Sequence, residues 1–562
     1  MTLSTPRPYS ADAVQQLADA GMAPLLARIY AARGIKNRAQ LETGLDHLLP
    51  YTQLKNSQHM AVLLADAIAA QRKLLIVADY DADGATACAV GVRGLRTLGA
   101  QVDFIVPNRF EYGYGLTPEI VRLAAQSAPN ILITVDNGIA SVEGVAEANR
   151  LGMQVLITDH HLPGAALPDA LCIVNPNQPG CEFPSKNLAG VGVMFYVLLA
   201  LRAELRVRKT FTDKGPNFGK LLDLVALGTV ADVVKLDENN RILVQQGLQR
   251  IRAGRACAGI NALLQVAKKN PAQASSYELG FVVGPRLNAA GRLEDMSLGI
   301  SCLLSDDINE AAQLADKLDT LNHERRHIEA DMQQVALAAL EYINPTDSSS
   351  LAIFDASWHQ GVIGILASRL KDRYHRPVIA FARSKNGEIK GSGRSIHGLH
   401  LRDALDLLSK RHPHLLQKFG GHAMAAGVSI QEEHFAEFKT AFETIAHSLL
   451  SPADLTKVIE TDGSLAPEDF SLNITRTLEQ QIWGQGFPPP VFEGEFVVQS
   501  QRVVGEKHLK LKLSVPPAIF DAIHFFNITP MPERIYALYK LAVNEFNGAT
   551  TLQLVIEHWE AV

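Results

Sequence analysis

The chain has 562 residues, of which 47% are apolar and 20% are charged, and this composition excludes a disordered, collagenous or fibrous protein. The length predicts about three to five domains. The net charge of −6 excludes a partner that is held by a globally positive surface. Residues 1–459 carry 46 basic and 46 acidic side chains, whereas residues 460–562 carry 7 and 13. A polyanion site must therefore be a local basic groove.

Cysteine spacing and hydropathy bear on the compartment. The five cysteines lie far apart with no Cys-x-x-Cys pair, and an odd number does not suit a disulfide scaffold. The first 21 residues contain no basic region followed by an apolar run. The longest apolar run, residues 188–201, is too short to span a bilayer and predicts a buried helix. We expect a cytoplasmic protein without a membrane segment.

Residues 1–45 predict a polar helical segment with a packing or capping role. From residue 71, apolar strands alternate with alanine-rich helical stretches, which predicts βαβ units and a mainly parallel sheet. The predicted strands are Lys73–Ala78, Val102–Val106, Asn130–Val135, Gln154–Ile157 and Leu171–Val174. Ligands bind at the carboxyl ends of such strands, so the residues that follow each strand are candidates for a site.

The first candidate is an acidic segment directly after the first of these strands. Asp79, Asp81 and Asp83 alternate before Gly84, and a helix is predicted over 85–98. Carboxylates this close together cost free energy unless a cation neutralises them, which favours a metal site. An exposed acidic turn at a helix N-terminus is the alternative. A calcium EF-hand is excluded because no Glu occupies the twelfth loop position.

Similar groups recur later in the same region. Asp136 follows one strand, His160 and His161 follow the next, and Asp232 interrupts an apolar stretch. A lone Asp after a strand is also typical of a helix cap, and paired histidines also occur in exposed loops. A carboxylate in an apolar stretch, however, needs a partner, and imidazole is the commonest metal ligand.

Taken together, these residues supply oxygen and imidazole ligands without thiolates, which favours Mn²⁺ or Mg²⁺ over structural zinc. Five or six ligands are more than one catalytic ion requires. The number of candidate ligands therefore agrees with two ions that share a carboxylate. Two-metal sites of this kind characteristically catalyse displacement at phosphorus. The pattern therefore favours a phosphoester hydrolase.

The remaining chain predicts three further parts. Residues 306–342 are charged and helically periodic without Pro or Gly, which predicts a long helix that bridges two domains or belongs to one large domain. Strands at 350–354 and 377–381 around a helix at 364–374 predict a second α/β unit. Short alternating runs after residue 452 predict a small β-barrel or sandwich. These runs are Glu493–Gln499, Gln501–Val504, Leu509–Ser514, Ala522–Phe526, Arg534–Ala542 and Leu552–His558.

Four segments resemble, in order and spacing, the motifs of the DHH phosphoesterase superfamily, and a fifth resembles the associated DHHA1 domain. The four are DYDADG at 79–84, VDNG at 135–138, TDHH at 158–161 and GTVADVV at 228–234, and the fifth is GGHAMAAG at 420–427. The resemblance covers about residues 45–562. It implies an α/β fold in which a parallel-sheet DHH domain is linked by a long helix to a smaller α/β DHHA1 domain, followed by an OB-like β-barrel.

The resemblance also implies domain boundaries and an activity. The boundaries are 1–45 for the N-terminal helical segment, 46–305 for the DHH catalytic domain, 306–345 for the linking helix, 346–452 for the DHHA1 substrate-binding domain and 453–562 for the OB-like domain. The layout is similar to that of superfamily members that are 5′→3′ exonucleases of single-stranded DNA. This implies metal-dependent release of 5′-mononucleotides in DNA repair and recombination, with single-strand-binding protein and a helicase as candidate partners.

For the site, the resemblance implies two Mn²⁺ or Mg²⁺ ions. The implied metal ligands are Asp81, Asp83, Asp136, His160 and Asp232. Asp136 is the expected bridge, and His161 is expected to contact the scissile phosphate, so His161, Asp136 and Asp83 are the expected catalytic residues. Asp79 is expected to be an auxiliary ligand or to lie behind the ligands, and Asp159 to orient a neighbouring histidine or cap a helix.

One departure discriminates within the superfamily. The related pyrophosphatases have a histidine ligand four residues before the first metal-binding aspartate, and Val77 stands at that position here. Two rivals stay open. One is a phosphodiesterase of short oligonucleotides or cyclic dinucleotides, and the other is a non-catalytic single-strand-binding protein. The presence of all five core ligands argues against the second rival.

Candidate substrate contacts lie in glycine-rich segments. Residues 108–115 join Arg109 to Tyr114 and two other aromatic residues, a combination typical of single-strand binding, or else form a glycine-rich turn. Arg286 and Arg292 are predicted in a glycine-bounded turn, and Arg286 resembles a phosphate contact of the family.

The second α/β unit adds a possible pocket for a terminal 5′-phosphate, although each glycine cluster is also compatible with a plain turn. A loop and helix over 359–369 contain Gly361 and Gly364. The other pocket candidates are Ser392, Arg394, Gly421 and His422. In the barrel, Lys507, Lys510 and Lys512 near Arg502 and His508 predict a basic strip, with a packing role for this domain as the alternative.

Overall fold

The computed structural model describes residues 2–107, 115–340, 347–384, 387–546 and 548–562. The chain forms two compact units. One contains Thr320–Ile459 together with the residues up to Thr5, and the other contains Pro6–Asp319 and Glu460–Val562.

The strands are β1 (Thr2–Pro6), β2 (Lys73–Ala78), β3 (Gln101–Ile105), β4 (Ile131–Val135), β5 (Gln154–Thr158), β6 (Cys172–Val174), β7 (Leu351–Phe354), β8 (Val378–Arg383), β9 (Glu388–Arg394), β10 (Lys418–Gly421), β11 (Ala425–Gln431), β12 (Lys457–Thr461), β13 (Phe492–Val504), β14 (His508–Val515), β15 (Ala518–His524), β16 (Arg534–Phe546) and β17 (Ala549–Ala561). The helices are α1 (Ala11–Asp19), α2 (Pro24–Ala31), α3 (Ser57–Ala69), α4 (Ala82–Thr97), α5 (Pro118–Ala125), α6 (Val142–Arg150), α7 (Gly190–Val207), α8 (Leu222–Ala231), α9 (Glu238–Arg252), α10 (Ala258–Val266), a π-helix (Glu278–Val283), α11 (Gly284–Leu293), α12 (Ser297–Leu304), α13 (Ile308–Leu340), α14 (Ile363–Tyr374), α15 (Leu401–Arg411), α16 (Phe435–Leu449) and α17 (Leu472–Glu479).

The larger unit contains a five-stranded parallel sheet in the order β3–β2–β4–β5–β6. Every residue of β4 is buried, as expected for a strand covered by helices on both faces. This confirms the predicted parallel sheet, and the strand bounds differ from the predicted ones by a residue or less. The carboxyl ends of β2, β4 and β5 are neighbours, so the residues after them meet at one edge.

Helix α4 begins three residues earlier than predicted. Asp81 is its N-cap, and the side chain accepts hydrogen bonds from the backbone N–H groups of Asp83 (2.9 Å) and Gly84 (3.0 Å). An N-cap carboxylate satisfies donors of the first turn that have no partner within the helix. The cap therefore extends the helix into the acidic motif and places Asp83 in its first turn.

Residues 190–201 of the apolar run lie in α7, and most of that helix is buried, as predicted. Among the helices that the structure describes, none is long and apolar enough to cross a membrane.

The smaller unit has a five-stranded mixed sheet in the order β10–β11–β9–β8–β7. Strands β7 and β8 pair in parallel, and the other neighbours are antiparallel. Helices α15 and α16 bury Leu405 and Phe442 in its apolar core. The predicted second α/β unit is confirmed, and the long predicted helix is observed as α13.

The C-terminal part forms a closed five-stranded barrel in the order β13–β14–β15–β17–β16. The pattern predicted two strands where the structure has the single strand β13, whose pairing with β14 shifts register between Val498 and Ser500. A bulge of this kind interrupts the apolar alternation without ending the strand.

Leu25 and Ile29 of α2 pack into the barrel core. Strand β1, in the segment predicted to be helical, pairs with β12.

Candidate metal centre

Asp83 lies in the first turn of α4 and contacts the N-terminus of α7. Asp83 is 1% exposed, and its carboxylate accepts hydrogen bonds from the backbone N–H groups of Gly190 (2.6 Å) and Val191 (2.9 Å) at the start of α7. These donors carry partial positive charge, which suits an ionised carboxylate. The side chain of Asp83 is therefore fixed by backbone groups about one hundred residues away in the sequence.

Asp136 follows β4 and has a φ of 63°, in the left-handed region. A side chain other than Gly adopts this conformation rarely, and Asp is among the residues that tolerate it. Asp136 is 1% exposed. Its Oδ1 lies 3.1 Å from His160 Nε2, yet the described residues donate no hydrogen bond to that oxygen. A buried carboxylate oxygen in this state fits a cation as its partner.

The DHH segment after β5 is organised by Asp159. Its Oδ1 lies 2.8 Å from His161 Nδ1 and accepts hydrogen bonds from the backbone N–H groups of His160 (2.7 Å) and His161 (3.1 Å). Its Oδ2 accepts from the N–H of Ile139 at 2.9 Å. Asp159 thus orients a neighbouring histidine, and no metal role is needed to explain its burial.

Asp232 caps the C-terminus of α8. Its Oδ2 lies 3.5 Å from His160 Nε2, and Asp83 Oδ2 lies 3.9 Å from the same nitrogen. One imidazole nitrogen is therefore within 4 Å of carboxylate oxygens that come from α4, from the end of β4 and from the end of α8.

Three overlapping sets of these side chains could each hold a metal ion, because the ligand atoms within each set lie within 4.8 Å of one another. The sets are Asp136, His160 and His161; Asp83, His160 and Asp232; and Asp79, Asp81 and Asp136. Asp136 and His160 each occur in two sets. Carboxylate oxygens with one or two imidazoles form the donor set that Mn²⁺ and Mg²⁺ prefer, so the residues fit these ions.

The electrostatics of the protein alone point in the same direction. Burial and the charge of Asp81 raise the pKa of Asp83 to about 7. Burial and the nearby Asp83 raise the pKa of Asp136 and of Asp232 well above the usual range. Burial lowers the pKa of His161, but the hydrogen bond and charge of Asp159 outweigh it and raise that pKa to about 9. Carboxylates packed this closely ionise together only when a cation compensates them.

Sequence reasoning missed several residues that support the centre. Asn177 Nδ2 donates to the carbonyl of His160 (2.6 Å), and Asn175 Nδ2 donates to that of His161 (3.0 Å). Both asparagines directly follow β6, which lies next to β5 in the sheet. Their position after a parallel strand is the sequence feature that could have identified them. A Cβ atom at Gly190 would lie 2.6 Å from Asp136 Cβ, so this approach requires glycine.

The candidate substrate residues of the larger unit have different outcomes. Arg109 and Tyr114 lie outside the described residues. The segment of Arg286 and Arg292 is not the predicted turn but helix α11, because its apolar residues are buried and Pro285 suits a first helical turn. Arg286 donates to Asp319 Oδ1 through Nε (2.8 Å) and to the carbonyl of Val282 through Nη1 (2.7 Å).

In the smaller unit, the sheet brings the pocket candidates together. Ser392 and Arg394 lie on β9, not in a turn, and Arg394 Nη1 donates to Ser392 Oγ at 3.2 Å. A Cβ atom at Gly364, at the start of α14, would lie 2.9 Å from Ser392 Oγ. Gly421 ends β10 with a φ of 143°, and the N–H of His422 donates to Ala425 O at 2.8 Å. A Cβ atom at Gly421 would lie 2.4 Å from the carbonyl oxygen of Ala425, so the backbone requires glycine at this position.

The predicted basic strip lies on the outer face of the barrel, since Leu509, Leu511 and Leu513 occupy the buried positions of β14. Arg502 on β13 is opposite Lys510 on β14. The charge of Lys512 is paired with Asp521, whose Oδ1 lies 3.0 Å from Nζ.

Comparison with protein families agrees with this layout. Residues 73–229 match the N-terminal domain of the DHH family, residues 346–448 match the DHHA1 domain, and residues 461–558 match the RecJ OB domain. The chain is 48% identical to the single-stranded-DNA-specific exonuclease RecJ of Salmonella typhimurium over 96% of each chain. It is 50% identical to RecJ of Dickeya dadantii over 95% of each chain.

Solved structures of relatives contain the ions that suit this donor set. RecJ of Thermus thermophilus in complex with Mn²⁺ is 29% identical, with a TM-score of 0.84 over 100% of this chain and 79% of that chain. An exonuclease RecJ bound to manganese is 34% identical, with a TM-score of 0.61 over 72% of this chain and 98% of that chain. From the identity and coverage of these relatives, this chain belongs to the RecJ family.

Proposed function

We propose that this protein is a metal-dependent exonuclease that degrades single-stranded DNA from the 5′ end and releases 5′-mononucleotides. The observation that carries the proposal is the convergence on His160 Nε2 of carboxylate oxygens from Asp83, Asp136 and Asp232, all within 4 Å. The substrate and its strandedness follow the relatives named as single-stranded-DNA-specific exonucleases. The polarity comes from the family resemblance.

The proposed ligands of two Mn²⁺ or Mg²⁺ ions are Asp81, Asp83, Asp136, His160 and Asp232. When bound, such ions lower the pKa of a water molecule and stabilise the charge that develops on the phosphate. Asp136 is the proposed bridge because it belongs to two of the three ligand sets and its Oδ1 has no hydrogen bond from the described residues.

His161 is proposed to contact the scissile phosphate. Asp159 holds Nδ1, so the ring is oriented with Nε2 as the nitrogen for the substrate. The hydrogen bond and charge of Asp159 raise the pKa of this imidazole, which favours its protonated form. A protonated imidazole can donate a hydrogen bond to a phosphate oxygen and stabilise negative charge there.

Each unit by itself has proposed contacts with the DNA strand. Arg109 and Tyr114 would bind a phosphate and stack on a base, and Arg286 would add a phosphate contact through donors that Asp319 and Val282 do not use. Ser392, Arg394, Gly421 and His422 would bind the terminal 5′-phosphate. The proposed domain boundaries lie near residues 45, 305, 345 and 452.

The wider setting is also a proposal. It comprises a cytoplasmic location, a role in DNA repair and recombination, and cooperation with single-strand-binding protein and a helicase, all of which rest on the family. The barrel at residues 461–558 matches an OB domain, a fold that binds oligonucleotides, which supports contact with single strands.

The test uses single-stranded DNA labelled at its 3′ end, its duplex form and inorganic pyrophosphate, each with Mn²⁺, Mg²⁺ or EDTA. The proposal predicts a ladder that shortens from the 5′ end, on single strands only and only with metal. Intact DNA together with phosphate released from pyrophosphate would instead indicate a different phosphoesterase. Binding of the strand without hydrolysis under any metal would indicate a non-catalytic protein.

A further inference from the structure

Two exposed aromatic side chains lie at the start of the helical segment that carries Arg286. Tyr277 and Phe281 are 58% and 72% exposed, and their ring centroids are 5.1 Å apart with the ring planes at 30° to each other. We call these two residues the aromatic pair. Phenylalanine is usually buried in a folded protein, so two rings that stack on each other at the surface indicate a binding surface.

The π-helix that contains Phe281 packs against the element that ends at the metal centre. A Cβ atom at Gly280 would lie 3.2 Å from Val230 Cγ1, and a Cβ atom at Gly284 would lie 3.2 Å from Ala231 Cβ. Val230 and Ala231 are the last two residues of α8, and they immediately precede the proposed metal ligand Asp232. The backbone of the aromatic pair is therefore anchored next to the metal centre.

The same segment then continues past a cation to the acidic motif. Arg286 Nη1 donates to the carbonyl of Val282, the residue after Phe281, at 2.7 Å. Asn288 Oδ1 accepts a hydrogen bond from the backbone N–H of Ala82, within the acidic motif, at 2.8 Å. A DNA strand that lay along this segment would contact aromatic rings and a guanidinium before it reached the metal centre, and this combination is typical of single-strand binding.

The backbone under the aromatic pair is held in place by its neighbours. Leu279 and Val283 are 0% exposed, and Ser276 Oγ donates to the carbonyl of Trp483 at 2.6 Å. A surface that is ordered before its ligand arrives loses less conformational entropy on binding. The aromatic pair is therefore suited to hold a flexible ligand in one position.

We propose that the aromatic pair is a stacking platform for a base of the DNA strand whose 5′ end lies at the metal centre. This inference rests on the proposed function, which supplies the strand. The faces of a base are accessible in single-stranded DNA, whereas neighbouring base pairs cover them inside a duplex. The platform therefore favours single strands, and it accepts any sequence because every base has a π-face.

The test measures kcat and KM of the full-length protein in Mn²⁺ on a 5′-phosphorylated single-stranded oligonucleotide. A second substrate is the same oligonucleotide with abasic nucleotides next to its 5′ end. The variants are Phe281→Ala, Tyr277→Ala and Phe281→Tyr. The control is Tyr9→Ala, which removes an exposed aromatic ring near β1. Circular dichroism verifies the fold, and calorimetric titration with Mn²⁺ verifies the metal centre.

We expect Phe281→Ala and Tyr277→Ala to raise KM on the intact strand by about 5- to 100-fold, the effect of one lost base–aromatic contact, with little change in kcat. Phe281→Tyr keeps the ring and should have the KM of the wild type, as should Tyr9→Ala. On the abasic strand, Phe281→Ala and the wild type should have the same KM, because no base is available to stack.

Three results would contradict the platform. An unchanged KM of Phe281→Ala on the intact strand would overturn it and leave the proposed function standing. An equal loss on both strands, or a weaker affinity for Mn²⁺ in Phe281→Ala, would overturn it by showing that Phe281 supports the fold or the metal centre. If the wild type hydrolysed neither strand, the proposed function would fail, and the platform would fail with it.

Discussion

The buried carboxylate of Asp159 pairs with the partly exposed imidazole of His161, and Asp159 Oδ1 lies 2.8 Å from His161 Nδ1. The same oxygen accepts the backbone N–H groups of His160 and His161, so one carboxylate fixes both the loop and the ring. The two histidines of this segment thus have separate positions. His160 Nε2 lies within 4 Å of three carboxylates, whereas His161 is oriented by the contact of its Nδ1 with Asp159.

Replacing Asp159 by Asn should lower the rate of DNA hydrolysis by about 10–100-fold, because groups that orient a ligand or its neighbour have effects of that size. The pKa of His161 should fall from its raised value, so the alkaline limb of the pH–rate profile should move to lower pH. Initial rates from pH 6 to 10 measure both effects.

Glu143→Gln, at an exposed carboxylate of α6, is the control for the loss of one negative charge. If Asp159→Asn and the control had the same rate and the same pH profile as the wild type, Asp159 would have no positioning role.

Gly190→Ala should disrupt the metal centre itself. The added Cβ would lie 2.6 Å from both Cβ and Oδ1 of Asp136, which is too close for either residue to keep its place. We expect the affinity for Mn²⁺, measured by calorimetric titration, to fall at least about tenfold, the lower end of the range for groups that support metal ligands.

Gly192→Ala is a matched control on the same helix. Its Cβ would meet the tip of the Leu188 side chain at 2.5 Å, and a side chain can move away. The control should therefore lose stability but keep its affinity for Mn²⁺. Equal manganese affinity in Gly190→Ala and the wild type would contradict the steric argument.

The metal-free protein should become less stable as the pH rises from about 5 to 8. The folded-state pKa of Asp83, Asp136 and Asp232 is raised, so the folded state binds more protons than the unfolded state. This extra stability is present at low pH and is lost as the pH rises through the folded-state pKa, which is about 7 for Asp83.

The loss should amount to at least about 1 kcal/mol, the equivalent of a shift of somewhat less than one pKa unit. Thermal unfolding in EDTA across this pH range measures it, and saturating Mn²⁺ should abolish the dependence. A metal-free protein whose unfolding temperature stays constant from pH 5 to 8 would contradict the mutual repulsion of these carboxylates.

Much of the metal centre could be predicted because its residues follow a local rule. Asp136 and His160 come directly after parallel strands, and the apolar pattern of those strands marks where each one ends. The supporting contacts could not be predicted in the same way. The backbone groups of Gly190 and Val191 that hold Asp83 lie about one hundred residues away, and only the folded chain brings them together.

The errors have physical causes as well. Helix α4 begins early because the side chain of Asp81 caps it, and a run of three aspartates conceals such a cap. Helix α11 was predicted as a turn because glycines flank Arg286, but these glycines allow close packing. A Cβ atom at Gly291 would lie 1.9 Å from the carbonyl oxygen of Tyr80. Glycine patterns alone do not distinguish a turn from a close helix contact.

The basic strip of the barrel leads to a prediction about binding. Lys510→Gln should weaken binding of single-stranded DNA and reduce the slope of log affinity against log salt concentration by about 1, as expected for one lost phosphate contact. Lys512→Gln should have a smaller effect, because Asp521 already neutralises this lysine. Fluorescence anisotropy at several salt concentrations measures both slopes. Identical slopes in the two variants and the wild type would exclude the strip from DNA binding.

The bridging role of Asp136 is tested by comparing hydrolysis of 3′-labelled single-stranded DNA in Mn²⁺ by Asp136→Asn and by the wild type. Asparagine keeps the size of the side chain but removes the charge that would be shared between two ions. We expect a folded variant that binds DNA but hydrolyses it no faster than a reaction in EDTA. A variant that is folded and hydrolyses DNA within about tenfold of the wild-type rate, a barrier change of only about 1.4 kcal/mol, would contradict the assignment of a two-metal site to these residues.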